Sequence, residues 1–168
     1  PSVADRPNVI LIYTDDHGYT DLGVHGIDKH VDTPIMDKLA RGGALITAGY
    51  SSAPQCQPSR AGLMAGRIQN EFGFPHNACD AGEGKGRMPR TYAKGTDMAG
   101  QPLLTIADRM KKLGYVTGFS GKWHLGPSNS AKPKHDPRGR GFEYYWTGTM
   151  AGGAANLTLD GKPAEHHA

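Results

Sequence analysis

The run Asn8-Val-Ile-Leu-Ile-Tyr-Thr14 is a continuous series of β-branched and apolar residues, and the polar turn Asp15-Asp16-His17-Gly18 follows it directly. Such a run is typical of a strand that is buried on both faces, as strands are in a parallel sheet. Parallel strands need long crossover connections, usually helices, so helices should alternate with strands further along the chain. We therefore predict a strand over 8–14 and an α/β fold.

A helix is predicted next, from Pro34 onward. Thr33 is a good N-cap residue, and proline fits the first helical position. Three residues give this helix one apolar face, and two consecutive glycines end it; these are Ile35, Met36, Leu39, Gly42 and Gly43. The further predicted elements are a strand over 44–49, a helix over 58–65, a helix over 101–113 and a strand over 115–119. The alternation predicts a largely parallel sheet with helices on both faces, whose ligands lie beyond the carboxyl ends of the strands.

Composition bounds the class of protein without naming a function. The chain has 168 residues, 19 Lys and Arg against 16 Asp and Glu, and a mean hydropathy of −0.54. No run approaches the roughly 18 apolar residues of a membrane span. Charges of both signs are interspersed, so the net charge of +3 is a weak argument for a nucleic-acid partner, and we predict none. Two cysteines, Cys56 and Cys79, are too few for a disulfide framework.

Three short stretches could carry chemistry. The adjacent carboxylates of Asp15 and Asp16 repel each other, which favours a cation between them, and oxygen ligands suit Ca²⁺ or Mg²⁺. A solvated turn is the alternative. Cys56 is predicted just before a helix N-terminus, where anions are stabilised, and Arg60 lies one turn beyond it. Cys56 is then either a reactive thiol or a buried cysteine at a helix cap.

The third stretch is Lys122-Trp123-His124. On a strand, the first and last of these residues share one face and Trp123 points to the other, where we expect it to pack. Lysine and histidine at a strand end are either solvated rim residues or donors for a bound anion.

The segment Cys56-Gln-Pro-Ser-Arg-Ala-Gly-Leu-Met-Ala-Gly66 resembles the signature of the type I, formylglycine-dependent sulfatases. Residues 7–23 resemble the opening strand and metal turn of that family, and 114–126, with Gly-Lys-Trp-His-Leu-Gly, resemble its second signature. Arg140-Gly-Phe142 resembles a downstream landmark. Four motifs in the family's order make the similarity specific, and it covers residues 7–148.

The resemblance implies a mechanism at Cys56. A separate formylglycine-generating enzyme would oxidise Cys56 to the aldehyde formylglycine, whose hydrate carries two hydroxyl groups. One oxygen would attack the sulfur of a sulfate ester, and the second hydroxyl would then expel sulfate from the enzyme. The family binds Ca²⁺, with Mg²⁺ as the other option, and the matching ligands are Asp15, Asp16 and the modified Cys56.

Further roles follow from the same resemblance. Arg60 would stabilise the diol and the charge on the metal side, Lys122 would contact sulfate and formylglycine, and His124 would help to deprotonate the second hydroxyl. The segment 74–77 resembles bacterial polysaccharide sulfatases, which implies that His76 and Asn77 touch the substrate. We therefore expect a sulfated carbohydrate as substrate, with a sulfated small molecule as the other possibility.

The sequence also departs from the family. Sulfatases carry a second Asp-Asn or Asp-Gln metal pair, a further histidine and a further lysine downstream, and none has a match here. We therefore interpret residues 1–168 as the N-terminal part of a catalytic domain of alkaline-phosphatase-like α/β fold, poorly active by itself, with no second domain. Family members are commonly exported, which favours a periplasmic or extracellular location. The alternatives are a phosphonate or phosphate ester hydrolase and a non-catalytic remnant.

Overall fold

The computed structural model describes residues 6–77, 95–96, 98–125 and 137–147, together with the backbone of the strand pairs 158–159 and 162–163. The chain divides into two compact units, one that ends at Tyr50 and one that begins at Ser51. We call them the first and second units and describe each by itself. The expectation of a single domain over residues 1–168 stays a prediction.

In the first unit, helix α1 spans Pro34–Gly42, as the sequence predicts. Thr33 occupies the N-cap position, but its hydroxyl makes no capping bond there. It donates instead to Asp37 Oδ1 at 2.8 Å and accepts from the main-chain N–H of Gly23 at 2.8 Å. The same Asp37 oxygen accepts from the N–H of Val24 at 2.8 Å. The start of α1 is therefore tied to the short 3₁₀ helix Gly23–His25 by polar contacts.

The strands predicted over 8–14 and 44–49 are wrong for this structure, because neither run forms a strand. Ile10 is 85% exposed and Ile46 is 75% exposed. The predicted apolar face of α1 is likewise uncovered, with Ile35 77% and Leu39 72% exposed. A strand exists only when a neighbour accepts and donates its ladder hydrogen bonds. The strand pairings of the described residues lie in the second unit, and composition alone cannot supply a pairing strand for either run.

In the second unit, helix α2 spans Cys56–Ala65 and ends at Gly66, whose φ of 62° is left-handed. The helix begins two residues before Pro58, where we predicted its start. Proline is tolerated in this third helical position because the first four amide groups of a helix have no partner within it.

No helix among the described residues is long and apolar enough to cross a membrane.

Helix α3 spans Ile106–Lys112, shorter than the predicted 101–113. Thr105 stops it from starting earlier, because its side chain accepts from the N–H of Asp108 and its own N–H donates to the Asp108 carboxylate. This reciprocal pair is a capping box. The residues before it are extended, and Pro102 forms an isolated bridge with Thr96.

The sheet contains β1 (Gly118–Gly121), β2 (Tyr144–Thr147), β3 (Thr158–Leu159) and β4 (Lys162–Pro163) in that order. Strands β1 and β2 are parallel, with Gly118 opposite Tyr144, which agrees with the predicted α/β pattern. The strand predicted over 115–119 thus starts later, because the Thr117 carbonyl receives the N–H groups of Glu143 and Tyr144 instead. The next two pairings are antiparallel, which the sequence did not predict.

The core of the second unit packs α2 and α3 against aromatic residues from several segments. Phe72, Phe74 and Leu125 are fully buried, at 0% exposure. Trp123 packs edge-on against Phe119 at 5.1 Å between ring centroids, which confirms the packing role predicted for it. Phe74 lies close in sequence to Asn77, and Leu125 follows His124. The core therefore anchors the two segments that carry these predicted site residues.

Candidate active site

The N-terminus of α2 presents Cys56 as its first helical residue, half-buried and outside any disulfide. Gln55 precedes it at the N-cap with extended backbone, and the Gln55 carbonyl accepts the N–H of Ser59 at 3.2 Å. The Ser59 hydroxyl donates to the Cys56 carbonyl at 3.1 Å. Cys56 therefore lies at the positive end of a helix dipole, which stabilises negative charge on a group bound there.

Asn77 contacts this first turn of the helix directly. Its Oδ1 accepts the main-chain N–H of Gln57 at 3.2 Å and lies 4.0 Å from Cys56 Sγ. The main-chain N–H of Asn77 donates to Gln55 Oε1 at 3.0 Å. The structure thus brings Asn77 to Cys56. His76, next to it in the sequence, is exposed. Their predicted contact with substrate stays a prediction.

Arg60 connects the two signatures. Its side chain is buried, with 7% of the residue exposed, and its Nη1 donates to the main-chain carbonyl of Lys122 at 2.6 Å. These residues are 62 positions apart in the sequence. A buried guanidinium that binds a main-chain carbonyl holds the segment at Lys122 against α2. The structure therefore places Cys56, Arg60, Lys122 and Asn77 in one region of the second unit.

Lys122 and His124 follow the end of β1 and do not lie on it, so the prediction that they share a strand face is wrong. The last residue of the strand is Gly121, which pairs with Thr147 of β2. Both side chains are half-buried, and Trp123 and Leu125, which alternate with them, are buried. The expected alternation of packing and accessible residues holds without the strand.

The backbone of two predicted site residues has left-handed geometry. Asp16 has φ of 53° and His124 has φ of 54°, and they are the two residues other than glycine with positive φ in the described part of the chain. Positive φ is uncommon for residues with a side chain, and such strained backbone clusters at functional sites. Each therefore has an unusual backbone geometry in a segment that the motifs single out.

Asp15 and Asp16 belong to the first unit. Their carboxylates fit a hard cation by chemistry, because Ca²⁺ and Mg²⁺ prefer oxygen ligands. Their number does not complete a site, since Ca²⁺ takes about six to eight oxygens. Among the described residues, no group of three or more His, Cys, Asp or Glu side chains could hold a metal ion. We therefore derive no chemical step through a cation.

Sequence reasoning missed Gln55, which lies immediately before the signature and whose side chain holds Asn77. A glutamine in a loop before a helix has no distinctive signal, because its role depends on a residue 22 positions away. It also missed that Arg60 would reach a main-chain carbonyl. The available sequence signal was an arginine in a helix segment of otherwise small and apolar residues, because a charged residue that is buried needs a partner.

The chain is similar to known proteins over most of its length. The sulfatase family model matches residues 7–158. Arylsulfatase G of Rattus norvegicus is 37% identical over 145 residues, which cover 85% of this chain and 24% of that protein. Human steryl-sulfatase is 37% identical over 147 residues, covering 85% of this chain and 24% of the relative. The chain thus spans about a quarter of the length of these curated relatives.

Solved structures show the same fold. The crystal structure of Ps i-CgsB superimposes with a TM-score of 0.73 at 29% identity, over 95% of this chain and 37% of that one. A 6S-sulfatase from a Bacteroides thetaiotaomicron locus for glycosaminoglycan metabolism gives a TM-score of 0.71 at 27% identity, over 95% of this chain and 32% of that one. These likenesses confirm the predicted alkaline-phosphatase-like α/β class for the part that the chain spans. By its family-model match and its relatives, the chain belongs to the sulfatase family.

Proposed function

We propose that this chain is the N-terminal part of a catalytic domain that hydrolyses sulfate esters, with its nucleophile at position 56. The observation that carries the proposal is the 2.6 Å hydrogen bond from Arg60 Nη1 to the Lys122 carbonyl. It brings the signature around Cys56 to the signature around Lys122. One region then contains a nucleophile position at a helix N-terminus and two cationic side chains, which is what a sulfate oxyanion requires.

Each residue has a proposed role in this region. A separate activating enzyme converts Cys56 to formylglycine, whose hydrate supplies the attacking hydroxyl. Arg60 and Lys122 stabilise negative charge on the sulfate and on the nucleophile, and the guanidinium of Arg60 is already held in place by the Lys122 carbonyl. His124 accepts a proton from the second hydroxyl, the task for which imidazole is suited near neutral pH.

The proposal includes a divalent cation, Ca²⁺ or Mg²⁺, for which Asp15 and Asp16 would supply two carboxylate ligands. When bound, such an ion neutralises sulfate oxygens and orients the nucleophile. The support for this part is the chemistry of the two carboxylates, the left-handed backbone at Asp16 and the resemblance of their segment to the family's metal turn.

The proposed substrate is a sulfated carbohydrate. Its support is that Ps i-CgsB has been crystallised with k-i-k-neocarrahexaose, and that structure matches this chain with a TM-score of 0.68 at 26% identity. N-acetylgalactosamine-6-sulfatase of Homo sapiens, which is named for a sugar substrate, is 36% identical over 140 residues. A periplasmic or extracellular location completes the proposal and rests on the family alone.

The test is turnover by protein purified from its native host. We expect hydrolysis of 4-nitrophenyl sulfate to exceed that of 4-nitrophenyl phosphate, and sulfated oligosaccharides to be hydrolysed with a higher kcat/KM than either. Arg60→Lys should lower kcat/KM by about 100-fold, because lysine cannot replace a planar guanidinium that must bind a carbonyl and an oxyanion together.

Arg109→Lys is the matched control, since Arg109 is exposed on α3. It should leave kcat/KM unchanged. Faster hydrolysis of the phosphate ester would favour the phosphate ester hydrolase instead. Absence of turnover on all the esters, with folded protein, would favour the non-catalytic remnant.

A further inference from the structure

We infer that Asn77 is a positioning residue that fixes the side chain of residue 56, an inference that rests on the function proposed above. Asn77 Oδ1 accepts the N–H of Gln57 at 3.2 Å and is 4.0 Å from Cys56 Sγ. Asn77 thus acts as an N-terminal cap delivered from 20 residues further along the chain. Its contacts are with the nucleophile's own helical turn, which is a different role from touching the substrate.

The chemistry of the partners fixes the orientation of the Asn77 amide. A main-chain N–H can only donate, so the group that faces Gln57 must be the acceptor oxygen and not the amide nitrogen. The same oxygen lies 4.0 Å from Cys56 Sγ. The Cys56 thiol therefore faces the acceptor oxygen of Asn77, in a contact that is long even for a sulfur donor.

Asn77 is itself held from two directions. Its main-chain N–H donates to Gln55 Oε1 at 3.0 Å, which ties it to the N-cap residue of α2. On the preceding side, Phe74 is fully buried and its N–H donates to the Gln69 carbonyl at 3.0 Å. Pro75 limits the backbone freedom between Phe74 and Asn77. A cap anchored in this way can restrain the helical turn that it contacts.

The consequence for the proposed reaction is geometric. Residue 56 lies between Gln55 and Gln57, and Asn77 binds both of these neighbours. The bond to the main chain of Gln57 limits the movement of the main chain at position 56, and the bond to the Gln55 side chain holds Asn77 in place. A displacement of about 1 Å of a reacting group can lower the rate about 100-fold. Asn77 therefore contributes to turnover without contact with the ester.

The first experiment measures amide hydrogen exchange at Gln57 in the purified chain and does not depend on activity. Asn77→Ala removes the acceptor, so the Gln57 amide should exchange about tenfold faster, the loss of one hydrogen bond. Asn77→Asp retains an acceptor oxygen and should preserve protection. Asn70→Ala is the matched control, because Asn70 is exposed and lies on the same segment. Unchanged exchange at Gln57 in Asn77→Ala would overturn the inference.

The second experiment measures steady-state kinetics on 4-nitrophenyl sulfate with protein from the native host. A positioning role predicts that Asn77→Ala lowers kcat about tenfold with KM changed less than twofold, since geometry and not ground-state binding is lost. Asn77→Asp should restore kcat relative to Asn77→Ala but raise KM, because its carboxylate repels the sulfate ester.

The outcomes separate this inference from the proposed function. Lost protection at Gln57 with an unchanged kcat would make Asn77 a purely structural cap and would overturn the positioning role. A rise in KM with unchanged kcat in Asn77→Ala would also overturn it and would make Asn77 a substrate contact. Inactive wild-type protein from the native host would contradict the proposed function, while the exchange result would still decide whether Asn77 caps the turn of residue 56.

Discussion

The two units bury opposite kinds of residue. In the described part of the first unit, Asp37 is the buried residue, at 9% exposure, and Ile10 is 85% exposed. In the second unit, Phe72 and Phe74 are fully buried and the helices pack around them. The buried residue of the first unit is therefore a carboxylate that accepts hydrogen bonds, whereas the second unit has an apolar core.

This difference shows that the composition of a segment does not by itself determine whether the segment is buried. The apolar run 8–14 has the composition of a strand covered on both faces, yet its residues are uncovered by the described part of the chain. The buried apolar residues of the second unit, such as Phe72 and Phe74, form one cluster within that unit. A segment's composition states what it would bury, and the structure depends on whether a partner is present.

The largest expected effect tests the apolar side of the comparison. Phe74→Ala removes a fully buried ring and should lower the free energy of unfolding by about 3–5 kcal/mol, from lost burial and the cavity that remains. Ile10→Ala, at a site that is 85% exposed, is the control and should change it by less than about 0.5 kcal/mol. Urea unfolding measures both. Similar losses for the two variants would mean that the run 8–14 is buried in solution, and the comparison would fail.

The next prediction concerns the close approach of Gly141 to Asp108 in the second unit. A Cβ added at Gly141 would lie 2.6 Å from Asp108 Oδ1 and 2.7 Å from the Asp108 main-chain nitrogen, at a φ of 92°. Gly141→Ala should therefore lower the free energy of unfolding by about 2 kcal/mol, since both the clash and the backbone strain oppose it. Gly118→Ala meets nothing within 4 Å and should cost less than half as much. Equal effects of the two substitutions on thermal unfolding would contradict the close approach of Gly141 to α3.

The smallest expected effect concerns the hydrogen bonds that the Asp37 carboxylate accepts in the first unit. Asp37→Asn keeps one acceptor oxygen but removes the charge that strengthens the bonds from Val24 and Thr33. The Val24 amide should exchange about fivefold faster, which corresponds to about 1 kcal/mol. Asp32→Asn, at an exposed position before α1, should leave that exchange unchanged. An unaltered rate in Asp37→Asn would show that something other than this carboxylate holds the first unit together.

The parts of the fold that local signals encode were predictable. Pro34 and the glycine pair at 42–43 placed α1 correctly, because capping and termination depend on neighbouring residues. The runs 8–14 and 44–49 could not be assigned in this way, since a strand depends on a partner elsewhere in the chain. The bounds of β1 were missed for the same reason, because its residues Gly118 to Gly121 are those that pair with β2.

The candidate site was predictable in its residues and less so in its contacts. The sequence placed Arg60 on the helix and Cys56 just before it, whereas in the structure Cys56 is the first residue of that helix. The hydrogen bond from Arg60 to the Lys122 carbonyl and the capping of α2 by Asn77 both join distant segments. Side-chain spacing cannot predict them, because they depend on how the core brings β1 and the segment after α2 together.

The central claim is that position 56 carries a formylglycine nucleophile, and peptide mass spectrometry of protein from the native host tests it most directly. Trypsin places Cys56 in the peptide 42–60 and the other cysteine, Cys79, in the peptide 68–85, which serves as an internal control. We expect the first peptide to have a mass about 18 Da below its cysteine form, and the second to retain its thiol. An unmodified Cys56 in protein that hydrolyses sulfate esters would contradict the claim.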